Sequence, residues 1–339
     1  MQDQSNYFKQ MTKSLLAAVF LMVGPAHGQI FVVNNYTGGY DGTIAEYTTS
    51  GAKVNDSLVS GLSDPLGLAS DGNGNLFVVN STGRTGVGEY TTSGATVNAS
   101  LIAGGAWLHD IALDGSGHLF VTDFVLGTVK EYTTSGLLVN DSLISGLNYP
   151  TGIALDGHGH IFVANEGAGL GAGTIGVYTT SGAVVNASLI SGLNSPSELA
   201  LDGDGHLFVA NYYCGNWPGN DTLGEYTTSG AVVNASLISG LDRPVGVALD
   251  GDGHLFVSSC GSGIIGEYTT AGAEVNASLV TGLHNPLGLV VVPEPSSAVL
   301  VMAGLLCLVR RIPARNRFGV AFKQITGLSP KQFRDTRLR

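Results

Sequence analysis

The sequence predicts an all-β fold, a six-bladed β-propeller with four strands in each blade. The main observation is an internal repeat of 42 to 48 residues, marked by the motif EYTTSG or its variant VYTTSG. A period of this length, containing four β-rich segments, is typical of a propeller blade. The motif starts at Glu46, Glu89, Glu131, Val177, Glu225 and Glu267.

Each repeat contains four short apolar segments separated by turns. After EYTTSG come a VNASL-like segment, a G-L-x-x-P-x-G link, an apolar segment such as 152–156 and a D-G-x-G turn. Gly, Asn, Asp and Pro between β-rich segments predict hairpins. The VNASL-like segments start at Val54, Val97, Val139, Val185, Val233 and Val275. The LFV or IFV segments that open the next copy start at Ile30, Leu76, Leu119, Ile161, Leu207 and Leu255.

The two ends of the repeat region predict how the ring closes. Residues 29–34, QIFVVN, correspond to the second strand of a blade, and residues 287–292 correspond to a first strand. Three strands from the start and one from the end therefore complete a sixth blade. Closure removes the free sheet edges that would otherwise pair with other chains. We expect the propeller to comprise residues 29–292.

The repeat also resembles a known family. The unit P-x-G-I-A-L-D-x-x-G-x-I-F-V-A-N, at 150–165, resembles the NHL-type repeat, and the resemblance extends over about 260 residues. It implies the propeller architecture. It does not imply a function, because that family includes enzymes, binding scaffolds and structural domains.

The N-terminal residues predict export. Lys9 and Lys13 precede the apolar run 15–23, and Ala26-His27-Gly28 provides small residues for cleavage after Gly28. This order is typical of a secretory signal peptide, here residues 1–28. The apolar run is too short to span a membrane as a helix.

The segment VVPEPSSAVLVMAGLLCLVRR, at 291–311, resembles the PEP-CTERM sorting signal. A Pro-Glu-Pro motif, an apolar stretch and two arginines follow one another, and the arginines act as a positive-inside stop. The resemblance implies an exosortase-type sorting enzyme as partner. It also implies a transient inner-membrane anchor at 293–311 and display at the surface or in the matrix of a Gram-negative-type bacterium. A plain C-terminal anchor is the alternative. The motif residues are Pro293, Glu294, Pro295, Arg310 and Arg311.

Residues 312–339 form a basic tail. The stretch FGVAFKQITGLSPKQFR, at 318–334, resembles the end of an AraC-type DNA-binding domain. It covers less than one helix-turn-helix unit, which is too little to bind DNA alone. We interpret the tail as a fusion remnant. Between residues 29 and 292 the chain has four basic and 23 acidic residues, so nucleic acid is not an expected partner of the propeller.

The cluster LDGDGHLFVAN, at 201–211, raises the question of a metal site. Asp202 begins a D-G-x-G turn that recurs in other copies, and a calcium loop would need a further acid downstream. We therefore predict a structural turn. Four histidines recur one per blade, so we expect them to lie far apart and to form no zinc site. They are His118, His160, His206 and His254.

Two sets of connections vary most among the copies: second to third strand, and fourth strand to the next blade. In a propeller both sets emerge on one face, and here they are rich in aromatic residues. Such a face suits stacking on sugar rings or gripping a peptide, and local loop packing is the alternative. The candidate binding residues are Tyr36, Tyr40, Trp107, Phe124, Tyr149, Tyr212, Tyr213 and Trp217.

Two acids replace the glycine of the P-x-G link. Asp110 and Glu198 occupy the position of Gly67, Gly152, Gly246 and Gly288, at the mouth of the predicted channel. Six-bladed lactonase-type propellers, which resemble this fold, hold a divalent cation there with carboxylates and asparagines. That resemblance implies Asp110, Glu198, Asn165 and Asn211 as ligands of Ca²⁺ or another divalent cation. A structural role for the asparagines, which end most second strands, is the alternative.

Cys214 and Cys260 follow the second strands of adjacent blades and are a candidate disulfide in an exported protein. The chain also has nine N-x-S/T triplets, mostly one per repeat. In a secreted eukaryotic protein they would indicate glycans; in a bacterial protein we interpret them as residues of the repeat.

These observations favour a non-catalytic, exported propeller that binds polysaccharide or protein and needs no cofactor. No G-x-S-x-G elbow or P-loop is present in the sequence. The alternative is a lactonase-like or lyase-like enzyme with a divalent cation in the channel.

Overall fold

The computed structural model describes residues 28–35, 41–81, 86–104, 107–212 and 221–293. Residues Gly28–Val292 form one compact unit. Its strands make six four-stranded antiparallel sheets arranged as the blades of a β-propeller, which confirms the predicted fold class. Within the described residues no helix is long and apolar enough to span a membrane.

In each blade four strands lie side by side, from the innermost strand at the ring axis to the outermost strand. Blade 1 comprises β24 (Pro286–Val292), β1 (Gln29–Asn34), β2 (Gly42–Thr48) and β3 (Lys53–Leu62). Blade 2 comprises β4 (Pro65–Ser70), β5 (Asn75–Asn80), β6 (Gly86–Thr91) and β7 (Thr96–Ile102). Blade 3 comprises β8 (Leu108–Leu113), β9 (His118–Asp123), β10 (Thr128–Thr133) and β11 (Leu138–Ser145).

The second half of the ring repeats this order. Blade 4 comprises β12 (Pro150–Leu155), β13 (His160–Asn165), β14 (Gly173–Thr179) and β15 (Val184–Leu193). Blade 5 comprises β16 (Pro196–Leu201), β17 (His206–Asn211), β18 (Thr222–Thr227) and β19 (Val232–Ser239). Blade 6 comprises β20 (Pro244–Leu249), β21 (His254–Ser259), β22 (Ile264–Thr269) and β23 (Glu274–Val280).

Blade 1 closes the ring as predicted. Its innermost strand β24 pairs antiparallel with β1, with Gln29 opposite Val292 and Ile30 opposite Val291. The first and last strands of the propeller therefore share one sheet, and their pairing closes the ring.

The core lies between neighbouring blades. Each second strand is buried along nearly its whole length, because both faces of the sheet pack on another blade. One cluster, for example, joins Phe162 of blade 4 to Leu207 and Tyr226 of blade 5. This double burial explains why LFVAN-like segments are continuously apolar rather than alternating. One phenylalanine per blade is completely buried: Phe31, Phe77, Phe120, Phe162, Phe208 and Phe256.

The turns between first and second strands are structural, as predicted. The carboxylate of Asp202 accepts the backbone N–H of Asp204 at 2.8 Å and that of His206 at 3.0 Å. Gly203 and Gly205 have φ angles of 82° and 100°, which glycine adopts without strain. Asp202 and Asp204 therefore turn the chain and do not converge on a ligand.

The four histidines also act within their own blades. His118 contacts Glu131 at 2.7 Å, and His160 contacts Asp156 at 2.7 Å. His206 and His254 make equivalent contacts with an acid of blades 5 and 6. Among the described residues no group of three or more His, Cys, Asp or Glu side chains is arranged to hold a metal.

Every outermost strand contains a bulge at its Asn-x-Ser triplet. In blade 1, Glu46 pairs with Asn55 and Ile44 pairs with Val59, so the outer strand has two extra residues. The Asn55 side-chain oxygen accepts the backbone N–H of Ser57 at 3.1 Å, which stabilises the bulge. The same bond recurs in the other five blades at Asn98, Asn140, Asn186, Asn234 and Asn276.

Candidate functional site

The variable connections meet on one face of the ring, which we call the upper face. In each blade the residue after the second strand donates a backbone hydrogen bond to the residue just before the innermost strand. The two connections that precede the third and the first strand are therefore adjacent, as predicted. The bonds join Asn35 to Asn285, Ser81 to Asp64, Phe124 to Trp107, Glu166 to Tyr149, Tyr212 to Ser195 and Cys260 to Arg243.

The innermost strands converge at their third residue, below this face. A Cβ atom on Gly152 would lie 2.6 Å from the carbonyl oxygen of Ser197, and one on Gly288 would lie 2.6 Å from that of Leu66. Glycine is therefore required where a neighbouring strand approaches this closely. Asp110 and Glu198 hold the two positions of this ring that are not glycine.

Both acidic side chains reach across to the next blade. The Asp110 carboxylate accepts the N–H of Ile111 at 2.8 Å and that of Ile153, in blade 4, at 2.9 Å. The Glu198 carboxylate accepts the N–H of Val247, in blade 6, at 3.1 Å. Each acid thus links its own innermost strand to the following one.

Asp110 and Glu198 separate two cavities along the ring axis. The upper cavity, about 60 Å³, is lined by residues at the start of the innermost strands, among them His109 and Ser197. The lower cavity, about 300 Å³, is lined by the rest of those strands and is largely aliphatic. The two acids are the only described residues that line both cavities. They therefore form the constriction of the channel.

Asp110 and Glu198, the two acids of the constriction, stay at least partly protonated at neutral pH. Burial raises the pKa of Asp110 from 3.8 to about 7, although hydrogen bonds from Ile153 and Ile111 oppose the rise. Burial, and then the charge of Asp110, raise the pKa of Glu198 well above its usual value. Burial lowers the pKa of His109 to about 4, so its imidazole is uncharged and provides no compensating cation. The two acids titrate as a coupled pair.

The four predicted metal ligands do not come together. Asn165 and Asn211 line neither cavity. Their amide nitrogens donate to the Thr174 hydroxyl and to the carbonyl of Val209, and their side-chain oxygens are buried without a hydrogen-bond partner among the described residues. Three of the four carboxylate oxygens of Asp110 and Glu198 already accept backbone N–H groups. Ca²⁺ takes six to eight oxygen ligands, so the described residues do not by themselves fit a cation cage.

Aromatic side chains cluster on the upper face beside the upper cavity. Phe124 stacks on His109, with 5.8 Å between ring centroids, and packs at a tilt of 34° against Tyr149, with 5.0 Å between centroids. Trp107 and Tyr149 are 56% and 43% exposed. Three of the predicted binding residues therefore belong to one group, together with His109, which the sequence placed only beside Asp110.

Aliphatic side chains extend this group. Val125 and Leu126, which follow Phe124 in the connection between β9 and β10, are both more than half exposed. We call Trp107, Phe124, Val125, Leu126 and Tyr149 the aromatic patch. Sequence reasoning missed the aliphatic pair because it selected aromatic residues. The signal was the apolar run FVL, because no other copy has two consecutive aliphatic residues in this connection.

Hydroxyl groups tie the blades together around the channel. The Thr122 hydroxyl donates to the carbonyl of Thr151 in blade 4, and the Thr151 hydroxyl donates to the carbonyl of Pro196 in blade 5, both at 2.7 Å. Ser197 and Ser258 make similar bonds to the innermost strands of blades 6 and 1. These bonds hold the constriction in place. Isolated Ser and Thr residues in apolar strands were their only signal in the sequence.

The remaining predicted residues are placed only in part. Tyr212 follows β17 and hydrogen-bonds Arg243. Cys260 follows β21 and is half-buried, and burial raises the pKa of its thiol. Its pairing with Cys214 stays a prediction. Outside the described residues lie Tyr36, Tyr40, Tyr213, Cys214, Trp217, Glu294, Pro295, Arg310 and Arg311.

Comparisons with known proteins support the fold alone. No protein family profile matches the chain. No curated protein sequence matches it. Among solved structures, a chain from a crystal structure of a nidogen/laminin complex has a TM-score of 0.62 at 14% identity, covering 79% of this chain and 99% of that one.

Two bacterial structures are similar as well. A functionally unknown protein from Desulfotomaculum acetoxidans DSM 771 has a TM-score of 0.55 at 17% identity, covering 78% of this chain and 90% of that one. A catalytically inactive virginiamycin B lyase from Staphylococcus aureus, crystallised with quinupristin, has a TM-score of 0.52 at 18% identity. The match covers 77% of this chain and 78% of the lyase. This chain therefore shares its propeller fold with proteins of unrelated activities.

Proposed function

We propose that this protein is an exported, surface-sorted bacterial β-propeller whose upper face binds polysaccharide without catalysis. A protein ligand for the same face is the alternative. The observation that carries the proposal is the aromatic patch, in which Phe124 supports Tyr149 and also stacks on His109, a residue that lines the upper cavity.

The patch has the physical properties of a sugar-binding surface. Trp107 and Tyr149 expose about half of their surface although both are large apolar side chains. Aromatic rings stack on the apolar faces of sugar rings, and a supported ring loses little side-chain entropy on binding. Phe124 provides that support for Tyr149. The alternative of a protein ligand is supported by the nidogen/laminin complex, which contains a chain of this fold.

Binding is tested with the full chain and soluble polysaccharides, by affinity electrophoresis and calorimetry. We expect Trp107→Ala and Tyr149→Ala to weaken binding about tenfold each, equivalent to about 1.4 kcal/mol. Leu137→Ala is the matched control, because Leu137 is 67% exposed but lies between β10 and β11, on the opposite face. A Trp107→Ala protein that binds as tightly as the wild type would contradict the proposal.

Export and sorting rest on the two ends of the sequence. We propose that residues 1–28 are removed on export and that an exosortase-type enzyme recognises residues 293–311, which anchor the chain transiently in the inner membrane. Mass spectrometry of the secreted protein should give an N-terminus at Gln29. Replacing Arg310 and Arg311 with Ser should leave the chain unprocessed at its C-terminal end; unchanged processing would refute this assignment.

A lactonase-like or lyase-like enzyme is the second candidate. The observation that favours it is the buried pair of Asp110 and Glu198, since a carboxyl group with a pKa of about 7 is suited to proton transfer at neutral pH. Divalent-ion binding by calorimetry, compared between the wild type and Glu198→Gln, tests the cation that the resemblance implies. Metal-dependent hydrolysis of lactones by the wild type would favour this candidate, and absence of both heat and turnover would remove it.

A further inference from the structure

The residues just before the innermost strands share an unusual backbone conformation. Among the described residues, all six non-glycine residues with positive φ occupy this one position of the repeat, with φ between 40° and 74°. The upper cavity is lined by residues two positions further on. We call these six residues the mouth ring: Asp64, Trp107, Tyr149, Ser195, Arg243 and Asn285.

This conformation is strained for residues with a side chain. The left-handed region brings Cβ too close to the following carbonyl oxygen, and glycine alone adopts it freely. Five of the six residues also precede proline, which steers its predecessor toward extended backbone. Glycine is abundant here: 28 described glycines have positive φ, yet none belongs to the mouth ring.

The contact that all six residues share is made by the backbone and not by the side chain. In every blade the carbonyl oxygen of the ring residue accepts the N–H of the residue that follows the second strand, at 2.9 to 3.2 Å. Glycine would make the same bond. Two side chains of the ring make further bonds, and both bond a residue of the neighbouring variable connection: Asp64 accepts the amide of Asn35, and Arg243 hydrogen-bonds Tyr212. Retaining six side chains at strained positions therefore indicates a role outside folding.

The composition of the ring indicates the class of ligand. Six copies of one repeat position carry six different residues: two aromatic, one acidic, one basic and two uncharged polar. The ring has no net charge, whereas residues 29–292 carry 23 acidic and four basic residues, which disfavours an anionic polymer. Aromatic faces with hydroxyl and amide partners are suited to sugars.

We infer that the mouth ring is the specificity-determining set of the upper face and that its ligand is a neutral polysaccharide. This inference rests on the proposed binding function. Trp107 and Tyr149 stack on sugar rings at one side of the mouth. Ser195, Arg243 and Asn285 bond the hydroxyl groups of the same chain on the other side, so the polymer crosses the channel mouth.

The test uses Ser195→Gly and Asn285→Gly, because both residues lie outside the aromatic patch. We expect each variant to have a higher Tm than the wild type, since glycine relieves the strain, and to bind a neutral polysaccharide at least fivefold more weakly. Gly157→Ala is the control. It adds strain at a φ of 71°, in open space on the lower face, and should lower Tm without changing affinity.

The probes are laminarin, galactomannan and dextran as neutral polysaccharides, and alginate as an anionic one, with the full chain in each titration. Variants that bind the neutral probe as tightly as the wild type overturn the role of the ring while the proposed function stands. Binding to alginate alone overturns the ligand class. A wild type that binds none of the four overturns the proposed function, and this inference with it.

Discussion

Replacing Asp110 with Asn should remove a pH-dependent destabilisation of the folded protein. Asp110 is buried at the constriction, and its carboxyl group has a pKa of about 7, so it is mostly ionised only above that pH. In the unfolded chain the same carboxyl group ionises near 3.8. The folded state therefore holds a proton that the unfolded state has already released between these two pH values. Stability falls across that interval as the pH rises.

The magnitude follows from the two pKa values. The step from 3.8 to about 7, at about 1.4 kcal/mol for each pKa unit, corresponds to about 4 kcal/mol of unfolding free energy. This contribution is fully present below pH 4 and is lost as the pH rises through 7. Asn stays neutral at every pH, so the variant avoids a penalty of about 2 kcal/mol at pH 5 and about 4 kcal/mol at pH 8. Asn has one acceptor oxygen where Asp110 uses two, which subtracts about 1 to 3 kcal/mol at every pH, so the advantage over the wild type should grow by about 2 kcal/mol between pH 5 and pH 8.

The assay is urea denaturation of the full chain at several pH values between 5 and 8. Asp156→Asn is a control of opposite sign. Burial acts to raise the pKa of Asp156, but hydrogen bonds from His160 and His158 outweigh it and the pKa is lowered. Removing that charge should destabilise the protein at neutral pH. If Asp110→Asn differs from the wild type by the same free energy at pH 5 and at pH 8, the reasoning about the constriction is wrong.

Three further substitutions test the packing of the ring. Phe208→Ala should lower the unfolding free energy by about 3 to 5 kcal/mol, because it empties a fully buried site between blades 5 and 6; urea midpoints within error of the wild type would contradict this. Thr151→Val should cost about 1 to 3 kcal/mol, since it leaves the carbonyl of Pro196 without its hydroxyl donor, whereas Thr180→Val, on the lower face, should cost less in the same assay. Asp202→Ala should cost about 1 kcal/mol by removing the acceptor of two backbone N–H groups, and calorimetry should show a lowered Tm.

The fold was predictable because the sequence repeats it. Six copies of one pattern average out the local ambiguity of any single strand, and the phase of the pattern at residues 29–34 and 287–292 predicts closure. The Asp-Gly turns were predictable for the same reason, since Asp202 and Gly203 provide a local mechanism that needs no tertiary contact.

The site was predictable only in part. Alignment of the copies placed Asp110 and Glu198 correctly at the channel, but the direction of their side chains depends on the spacing between innermost strands. Asn165 was expected as their partner, yet it lines neither cavity, and whether its side-chain oxygen binds a cation stays a prediction. The mouth ring could not be predicted at all, since positive φ at Trp107 is set by bonds between two connections.

The bulges of the outermost strands bear on whether separate molecules can associate through their sheet edges. Without the bulges, one ring would have six identical flat edges, each able to pair with an edge of another ring. Such pairing would produce a branched network rather than a linear fibre. At each edge the asparagine of the Asn-x-Ser triplet occupies one N–H internally and bends the strand. We therefore expect the triplet that resembles a glycan acceptor to oppose strand pairing between rings, and its presence in every blade covers all six outer edges.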